Sequence, residues 1–250
     1  MSTYYFDRLE EAKDAEYVVF IGYDPLEDQC AKMLAHSIRS KTTMDLKIIP
    51  IVRDELLAYG IFERPVDPNG STQFSITRFM VPTLMGFTGI GIFFDCDMLI
   101  TRDIHEMFNL YDSNYAVQCV RHDYIPKADP KMGGKPQSTY PRKNWSSAVI
   151  YNCAHPSNSV LTKGSVEQST PQFLHRFEWL EDSEIGALPI EFNFLVEEYE
   201  LAKSMPFNLH HTLGPMIYRE KLYADYSEYW KAQYHHTFGK PFDPDIDCVG

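Results

Sequence analysis

The sequence predicts an α/β protein, a mixed sheet flanked by helices with a C-terminal helical and loop extension. Three observations predict it. Continuous apolar runs rich in β-branched residues, the kind covered on both faces of a sheet, recur at Tyr17 to Gly22, Asp45 to Val52 and Ile90 to Phe94. Ala31, Leu34, Ala35 and Ile38 repeat at helical spacing between the first two runs. The third run ends in Asp95-Cys96-Asp97, which brings two carboxylates to the point where a buried strand surfaces.

Taken in order, Tyr17 to Gly22 is a central strand, Tyr23-Asp24-Pro25 a turn, and the stretch through Ile38 a helix packed on the sheet. Asp45 to Val52 completes a β-α-β unit, whose crossover is right-handed. Phe79, Leu84 and Met85 predict a second helical stretch that Pro82 kinks or interrupts. Strand, helix, strand, helix, strand is a Rossmann-like nucleotide-binding half. Tyr115 to Val120 and Ala148 to Asn152 read as later strands, and His122 to Lys143, rich in Pro, Gly and Lys, reads as a mobile loop that lines a substrate. Gln172 to Leu180 and Phe192 to Tyr199 read as helices. The C-terminal third is dense in Tyr and His without clear periodicity. The expected organisation is a catalytic domain over 1–215, its nucleotide half about 16–120 and its acceptor half about 121–215, with 216–250 packed on the same domain.

A formal charge of −12 argues against a nucleic-acid surface or a broad basic patch for an anionic bilayer. Five scattered cysteines lack metal-ligand spacing and suit a reducing compartment. With no apolar leader or membrane-length run, a cytoplasmic location is expected, without integral membrane contact.

The chemistry starts from the two aspartates. Side chains at i and i+2 share one face of a strand, so Asp95 and Asp97 point together and Cys96 packs on the other side. Paired carboxylates repel and call for a cation, and a hard divalent cation can clamp a diphosphate. A nitrogen ligand is sought in Asn208-Leu209-His210-His211-Thr212. If that segment is extended, Asn208, His210 and Thr212 share the polar face, which favours His210. A second His-His-Thr stretch, with His235 and His236 followed by Lys240, is a rival, and Lys240 could meet a phosphate. Two carboxylates with an imidazole suit Mn²⁺, or Mg²⁺. Arg78 offers a forked guanidinium for a diphosphate or base. Gly22-Tyr23-Asp24, after the first strand, offers a ring to stack on a base and a carboxylate for a ribose. Trp145, Ser146 and Ser147 suit sugar hydroxyls. Glu184, Glu191 and Asn193 stand where polar groups interrupt apolar sequence, fit to contact hydroxyls or stabilise charge.

In this order, Phe20-Ile21-Gly22-Tyr23-Asp24-Pro25, Ser75-Ile76-Thr77-Arg78-Phe79, Phe94-Asp95-Cys96-Asp97, Trp145-Ser146-Ser147, Leu188-Pro189-Ile190-Glu191-Phe192-Asn193 and Leu209-His210-His211-Thr212-Leu213-Gly214 resemble bacterial glycosyltransferases of the GT-A fold. The resemblance is close to the family 8 group, which includes glycogenin and the lipopolysaccharide galactosyltransferases. The resemblance implies a GT-A sheet and transfer from a nucleotide-diphosphate sugar, usually a UDP-sugar, to a glycan hydroxyl with retention. It implies metal ligation by Asp95, Asp97 and His210. The donor set is then Gly22, Tyr23, Asp24, Arg78, Asp95, Cys96 and Lys240, the sugar or acceptor set Trp145, Ser146 and Ser147, and the catalytic set Glu184, Glu191 and Asn193. Expected partners are the nucleotide sugar, a glycan acceptor and, peripherally, a glycan-assembly machinery. The chain departs from family 8 in two places. The family's His-x-x-Gly-x-x-Lys-Pro-Trp loop lacks its lysine after His210, and no Asp-Gln pair stands near Glu184 to Asn193. A nucleotidyltransferase making the nucleotide sugar, or an inactive carbohydrate-binding scaffold, are the competing readings; the first usually brings a glycine-rich basic loop, which Tyr23-Asp24-Pro25-Leu26-Glu27 is not.

Overall fold

The structure, a computed structural model, describes residues 5–66, 70, 72–125 and 140–249. Most of the loop predicted over His122 to Lys143 lies outside these residues. Among the described residues, nine strands form two sheets: β1 Tyr17–Gly22, β2 Lys47–Ile51, β3 Ile90–Phe94, β4 Met98–Ile100, β5 Val117–Cys119, β6 Ala148–Asn152, β7 Ile185–Ala187, β8 Phe194–Leu195 and β9 Asn208–His210. The larger sheet has the order β2-β1-β3-β6-β5-β7, and the smaller β4-β9-β8. β1 is parallel to β2 and β3, while β6 runs antiparallel to both β3 and β5, and β7 is parallel to β5. The sheet is therefore mixed, as predicted.

The helices are α1 Asp28–Arg39, α2 Arg53–Ala58, α3 Val81–Leu84, α4 His105–Phe108, α5 Lys163–Gln168, α6 Pro171–His175, α7 Ser227–Phe238 and α8 Pro244–Asp247. α1 buries Ala31, Leu34, Ala35 and Ile38, the residues whose spacing predicted it. The main core joins this face to the apolar strands β1, β2, β3 and β6. A second cluster gathers Met33, Leu99, Phe194, Leu209, Trp230 and Tyr234, tying the small sheet to α1 and α7.

Strand directions decide what meets what. β1, β3, β5 and β7 all point the same way, so the segments following them emerge at one end of the sheet, together with the segment that precedes β6. That end collects residues 23–27, 95–97, 120–125, 144–147 and 188–193. Close packing is demanded where this end begins. A Cβ on Gly22 would overlap the ring of Phe74, lying 2.6 and 2.8 Å from two of its carbons. Gly22→Ala is accordingly expected to lower stability by about 1–3 kcal/mol, read from chemical denaturation.

Two helical expectations are corrected and one, the break at Pro82, is met. Phe192 to Tyr199 is not a helix: a 3-10 turn over Ile190–Asn193 leads into β8, whose Phe194 and Leu195 pair with Leu209 and His210. The apolar run fits either period, and pairing with β9 decides. Pro82 does break the stretch before β3, giving a 3-10 turn over Thr77–Met80 and then α3 with Pro82 in its first turn. Gln172 to Leu180 is helical through His175 and then turns, with Phe177 at φ 51°. Conversely α7 arises where no periodicity was visible. It buries Trp230, Gln233, Tyr234 and Thr237, a helical spacing in which two of the four residues are polar and so leave no hydropathy signal.

Candidate active site

Asp95 and Asp97 stand in the turn between β3 and β4, just beyond the strand itself. β9 lies beside β4 with His210 opposite Met98, and the His211 N–H donates to the Asp97 carbonyl at 3.0 Å. This pairing brings His210 to the aspartates across more than a hundred residues of chain. Ligand atoms of Asp95, Asp97 and His210 all lie within 4.8 Å of one another, and among the described residues no other group of acidic, His and Cys side chains meets that condition. His235 and His236, the sequence rivals, sit exposed in the last turn of α7.

His210 is 2% exposed and its ring is aimed by its neighbours. The Asn193 amide donates to Ser147 Oγ at 2.9 Å and to the Asn144 carbonyl at 3.3 Å. Its Oδ1 therefore accepts from His210 Nδ1, 2.8 Å away. With the proton on Nδ1, the Nε2 lone pair faces Asp97 Oδ1 at 3.4 Å, the orientation a metal-ligating imidazole needs. Asn144 can anchor this chain because it adopts φ 62°, a left-handed conformation that asparagine tolerates. Asn193, expected in a catalytic role, is fully buried behind His210 and positions it.

Asp95 is held from the other side. Arg78 Nη1 lies 2.7 Å from Asp95 Oδ1 and donates to the Ser146 carbonyl at 3.1 Å. The guanidinium is packed 5.2 Å from the ring centroids of both Phe74 and Phe93. Arg78 is thus a buried brace for Asp95 rather than an open donor contact. The Asp95 N–H donates to the Ser147 carbonyl at 2.9 Å. Ser146 and Ser147, expected to meet sugar, point inward and frame the aspartate turn. Ser146 Oγ bonds His175 Nδ1 at 2.9 Å, and Ser147 Oγ donates to the Asn144 carbonyl at 2.7 Å.

His175 carries a pH consequence. Burial, then the nearby Arg78 charge, lowers it to about 3. The unfolded chain takes up a proton near the ordinary histidine value and the folded one does not, so stability falls as pH drops from about 6.5 towards 3, by about 1.4 kcal/mol per unit. Replacing His175 with asparagine, whose Oδ1 stands in for Nδ1, is expected to make the slope in denaturation shallower by that amount across this range, with buried His122 and His211 still contributing in the same direction.

The remaining expected residues divide. Tyr23 and Asp24 follow β1 at the correct end of the sheet. However, Asp24 Oδ1 accepts from the Leu26 N–H and Oδ2 from the Gln73 N–H, each at 3.0 Å, so its carboxylate fastens two loops. Tyr23 donates to Asp28 Oδ1 at 2.9 Å, and burial with that bond pushes its phenol up to about 12. Cys96 is fully buried and turned inward, its thiol donating to Glu27 Oε2 at 2.9 Å. Trp145 donates to the His122 carbonyl at 2.9 Å, and the guanidinium carbons of Arg121 and Arg142 lie 5.9 and 5.4 Å from its ring centroid.

Three expected residues are not brought to the group. Glu184 precedes β7 and so lies at the opposite end of the sheet, where its side chain bonds Ser157 and the Glu181 N–H. Glu191 pairs with Arg102 at 3.1 Å, which draws it towards the far end of β4 and away from His210. Lys240 follows α7 and pairs with Asp247 at 2.7 Å.

Sequence reasoning passed over Glu27, and it set His211 aside as a residue of the apolar face of its strand. Glu27 is buried beneath the aspartate turn, where burial and the Asp97 charge push its carboxyl up to about 7 against the donated bonds of Cys96 and Tyr218. In sequence it looks like an ordinary helix-start acid, so nothing marked it. His211 is buried, and among the described residues neither of its ring nitrogens has a hydrogen-bond partner; burial lowers it to about 4.

No protein-family model matches the chain. Protein CDI of Arabidopsis thaliana is 40% identical over 216 residues, covering 85% of this chain and 83% of that protein. The chain belongs to the Protein CDI family. Solved structures supply the fold for this member of the CDI family. The apo WbbM bifunctional glycosyltransferase superimposes with a TM-score of 0.58 at 11% identity, covering 91% of this chain and 50% of its own. The galactosyltransferase LgtC, in complex with donor and acceptor sugar analogs, superimposes with a TM-score of 0.52 at 11% identity, covering 90% of this chain and 97% of its own. The CDI-family chain thus spans half the length of WbbM and nearly all of LgtC, and its fold is the GT-A glycosyltransferase fold. Among the described residues, no helix is long and apolar enough to cross a membrane.

Proposed function

We propose that the chain is a metal-dependent glycosyltransferase, moving a sugar from a nucleoside diphosphate sugar, with UDP the favoured carrier, to a hydroxyl of a saccharide acceptor. The observation that carries the reading is the Asp95, Asp97 and His210 group, within 4.8 Å, at the carboxyl end of a GT-A sheet. Its fit to a divalent cation rests on the donor set and on the Asn193 bond that turns His210 Nε2 towards Asp97. Two carboxylates with one imidazole favour Mn²⁺ or Mg²⁺.

Transfer breaks the bond between the anomeric carbon and a phosphate oxygen and joins that carbon to the acceptor oxygen. The acceptor proton leaves with the phosphate. Asp95, Asp97 and His210 would hold a cation there, and it would supply neutralisation of the charge that grows on the departing diphosphate. The chain's own contribution is preorganisation. Arg78 and the Ser147 carbonyl hold Asp95, Asn193 holds His210, and buried Phe74 and Phe93 keep water from the Arg78 pair. In this reading residues 16–120 carry the donor and 121–215 the acceptor, and Tyr23 borders the nucleotide. Retention is proposed from the likeness to family 8, as is a peripheral association with glycan assembly in the cytoplasm.

Calorimetric titration of UDP and GDP with Mn²⁺ or EDTA tests the proposal. UDP binding that requires the metal is expected. Absence of binding by either nucleotide in the presence of Mn²⁺ would remove the donor site and turn attention to a noncatalytic scaffold.

A further inference from the structure

Glu27 is a carboxylate that local structure does not use. It occupies the N-cap of α1, where a side-chain oxygen ordinarily accepts from the first turn of the helix, and it makes no such bond. Its carboxylate lies under the aspartate turn instead and is 3% exposed. A carboxylate away from water is costly unless its oxygens are hydrogen-bonded, and two donors meet it there. Oε2 accepts from the Cys96 thiol at 2.9 Å and Oε1 from the Tyr218 hydroxyl at 3.2 Å. The backbone it springs from is fixed, since the Glu27 N–H donates to the Asp24 carbonyl at 2.9 Å and Asp24 itself fastens two loops.

The two donors come from the two segments that carry the metal group. Cys96 stands between Asp95 and Asp97, with its side chain on the buried side of their turn. Tyr218 ends the stretch that follows His210. Residues 211–217 are buried throughout, and this stretch is folded by bonds from the Gly214 N–H to the His211 carbonyl at 2.8 Å and from the Tyr218 N–H to the Pro215 carbonyl at 3.1 Å. The Val249 N–H braces it further at the Ile217 carbonyl, 2.8 Å away. Backbone bonds already hold the two ends of the aspartate turn, the Ser147 carbonyl taking the Asp95 N–H and the Asp97 carbonyl taking the His211 N–H. Cys96, in the middle, is anchored through its thiol on Glu27, and the peptide planes on either side of it set the directions of both aspartates.

We propose that Glu27 is a positioning residue for the cation site, a buried clasp that joins the aspartate turn to the His210 segment and keeps Asp97 and His210 at the spacing a divalent cation needs. This rests on the transferase reading above and assigns its metal group a support from beneath. Polar groups behind metal ligands fix the direction of those ligands and, through it, the affinity. Asn193 does this for His210 alone, whereas Glu27 reaches both ligand-bearing segments at once. A role in folding alone is met better by an apolar side chain, because the nearby Asp97 charge opposes a further carboxylate at this depth.

The test uses the full chain with UDP present and Mn²⁺ as the probe, its affinity followed through the relaxation of water protons. Glu27→Ala should weaken Mn²⁺ binding by about 10–100-fold. Tyr218→Phe, which keeps the ring and removes one of the two bonds, should weaken it by about three- to tenfold. Glu27→Gln keeps both contacts, its Oε1 accepting from Cys96 and its Nε2 donating to the Tyr218 oxygen, and should recover most of the loss. Met107→Ala is the control. It empties a core position in α4, beside the start of β1, and should lower stability while Mn²⁺ affinity stays as it is in the natural chain. Unchanged affinity in Tyr218→Phe, or a loss in Met107→Ala as large as that in Tyr218→Phe, would overturn the clasp. So would a Glu27→Gln chain as weak as Glu27→Ala, since the charge and not the bonds would then be acting. Should Glu27→Ala fail to fold, Tyr218→Phe and Glu27→Gln decide by themselves. Absence of Mn²⁺ binding by the natural chain would overturn the transferase reading and the clasp with it, whereas variants that bind as the natural chain does overturn the clasp alone.

Discussion

Asp95→Ala is expected to abolish metal-dependent UDP binding and, beyond that, to cost about 3–5 kcal/mol of folding stability. The second loss comes from Arg78. Its guanidinium is buried between Phe74 and Phe93 and has Asp95 as its anionic partner at 2.7 Å. Removing that carboxylate strands a charge in an apolar setting, where neither water nor the Ser146 carbonyl replaces it. Asp97→Ala leaves no buried guanidinium stranded. It should lose UDP binding to the same degree with a much smaller fall in stability. Urea denaturation of both variants beside calorimetry with UDP and Mn²⁺ separates the two effects. Equal destabilisation by the two substitutions would mean that the Arg78 brace contributes little, and metal-dependent UDP binding that survives either one would remove the aspartates from the ligand set.

Asn193→Ala is expected to weaken cation affinity by about 10–100-fold although Asn193 would not touch the cation. Without its amide, nothing obliges His210 Nδ1 to carry the proton, and Ser147 Oγ and the Asn144 carbonyl lose a donor. The ring can then turn, or present a protonated Nε2 to Asp97. Titration of Mn²⁺ in the presence of UDP, followed by the paramagnetic relaxation of water protons, gives the affinity. A variant that binds Mn²⁺ as the natural chain does would assign Asn193 a purely packing role. His210→Ala should be at least as severe as Asn193→Ala, which orders the pair.

The strands were largely legible in the chain. β1, β3 and β6 announce themselves because they are buried on both faces, and a strand in that setting must be apolar throughout. Asp95 and Asp97 were legible for the converse reason: carboxylates directly after such a run mark where the strand leaves the core. His210 was preferred over His211 by strand alternation, and β9 does extend to His210. The 3-10 turns and the short helices were less legible. In Phe192 to Tyr199, apolar residues suit a helix or a strand equally, and the choice is made by β9, which lies elsewhere in the chain. In α7 the buried face includes Gln233 and Thr237, which bond His36 and each other, so hydropathy hides the helix.

Residue types and their immediate neighbours were sufficient for the α/β class, the central strands and the paired carboxylates, because burial and strand period act locally along the chain. The roles of the surrounding polar residues were decided by tertiary contact. Asn193 became a support for His210, Ser146 and Ser147 a frame for the aspartate turn, Asp24 a loop fastener, and Glu184 a residue at the other end of the sheet. A polar side chain reports in sequence only that it needs a partner. Which partner it finds depends on strand order and direction, and these bring together groups that are more than a hundred residues apart.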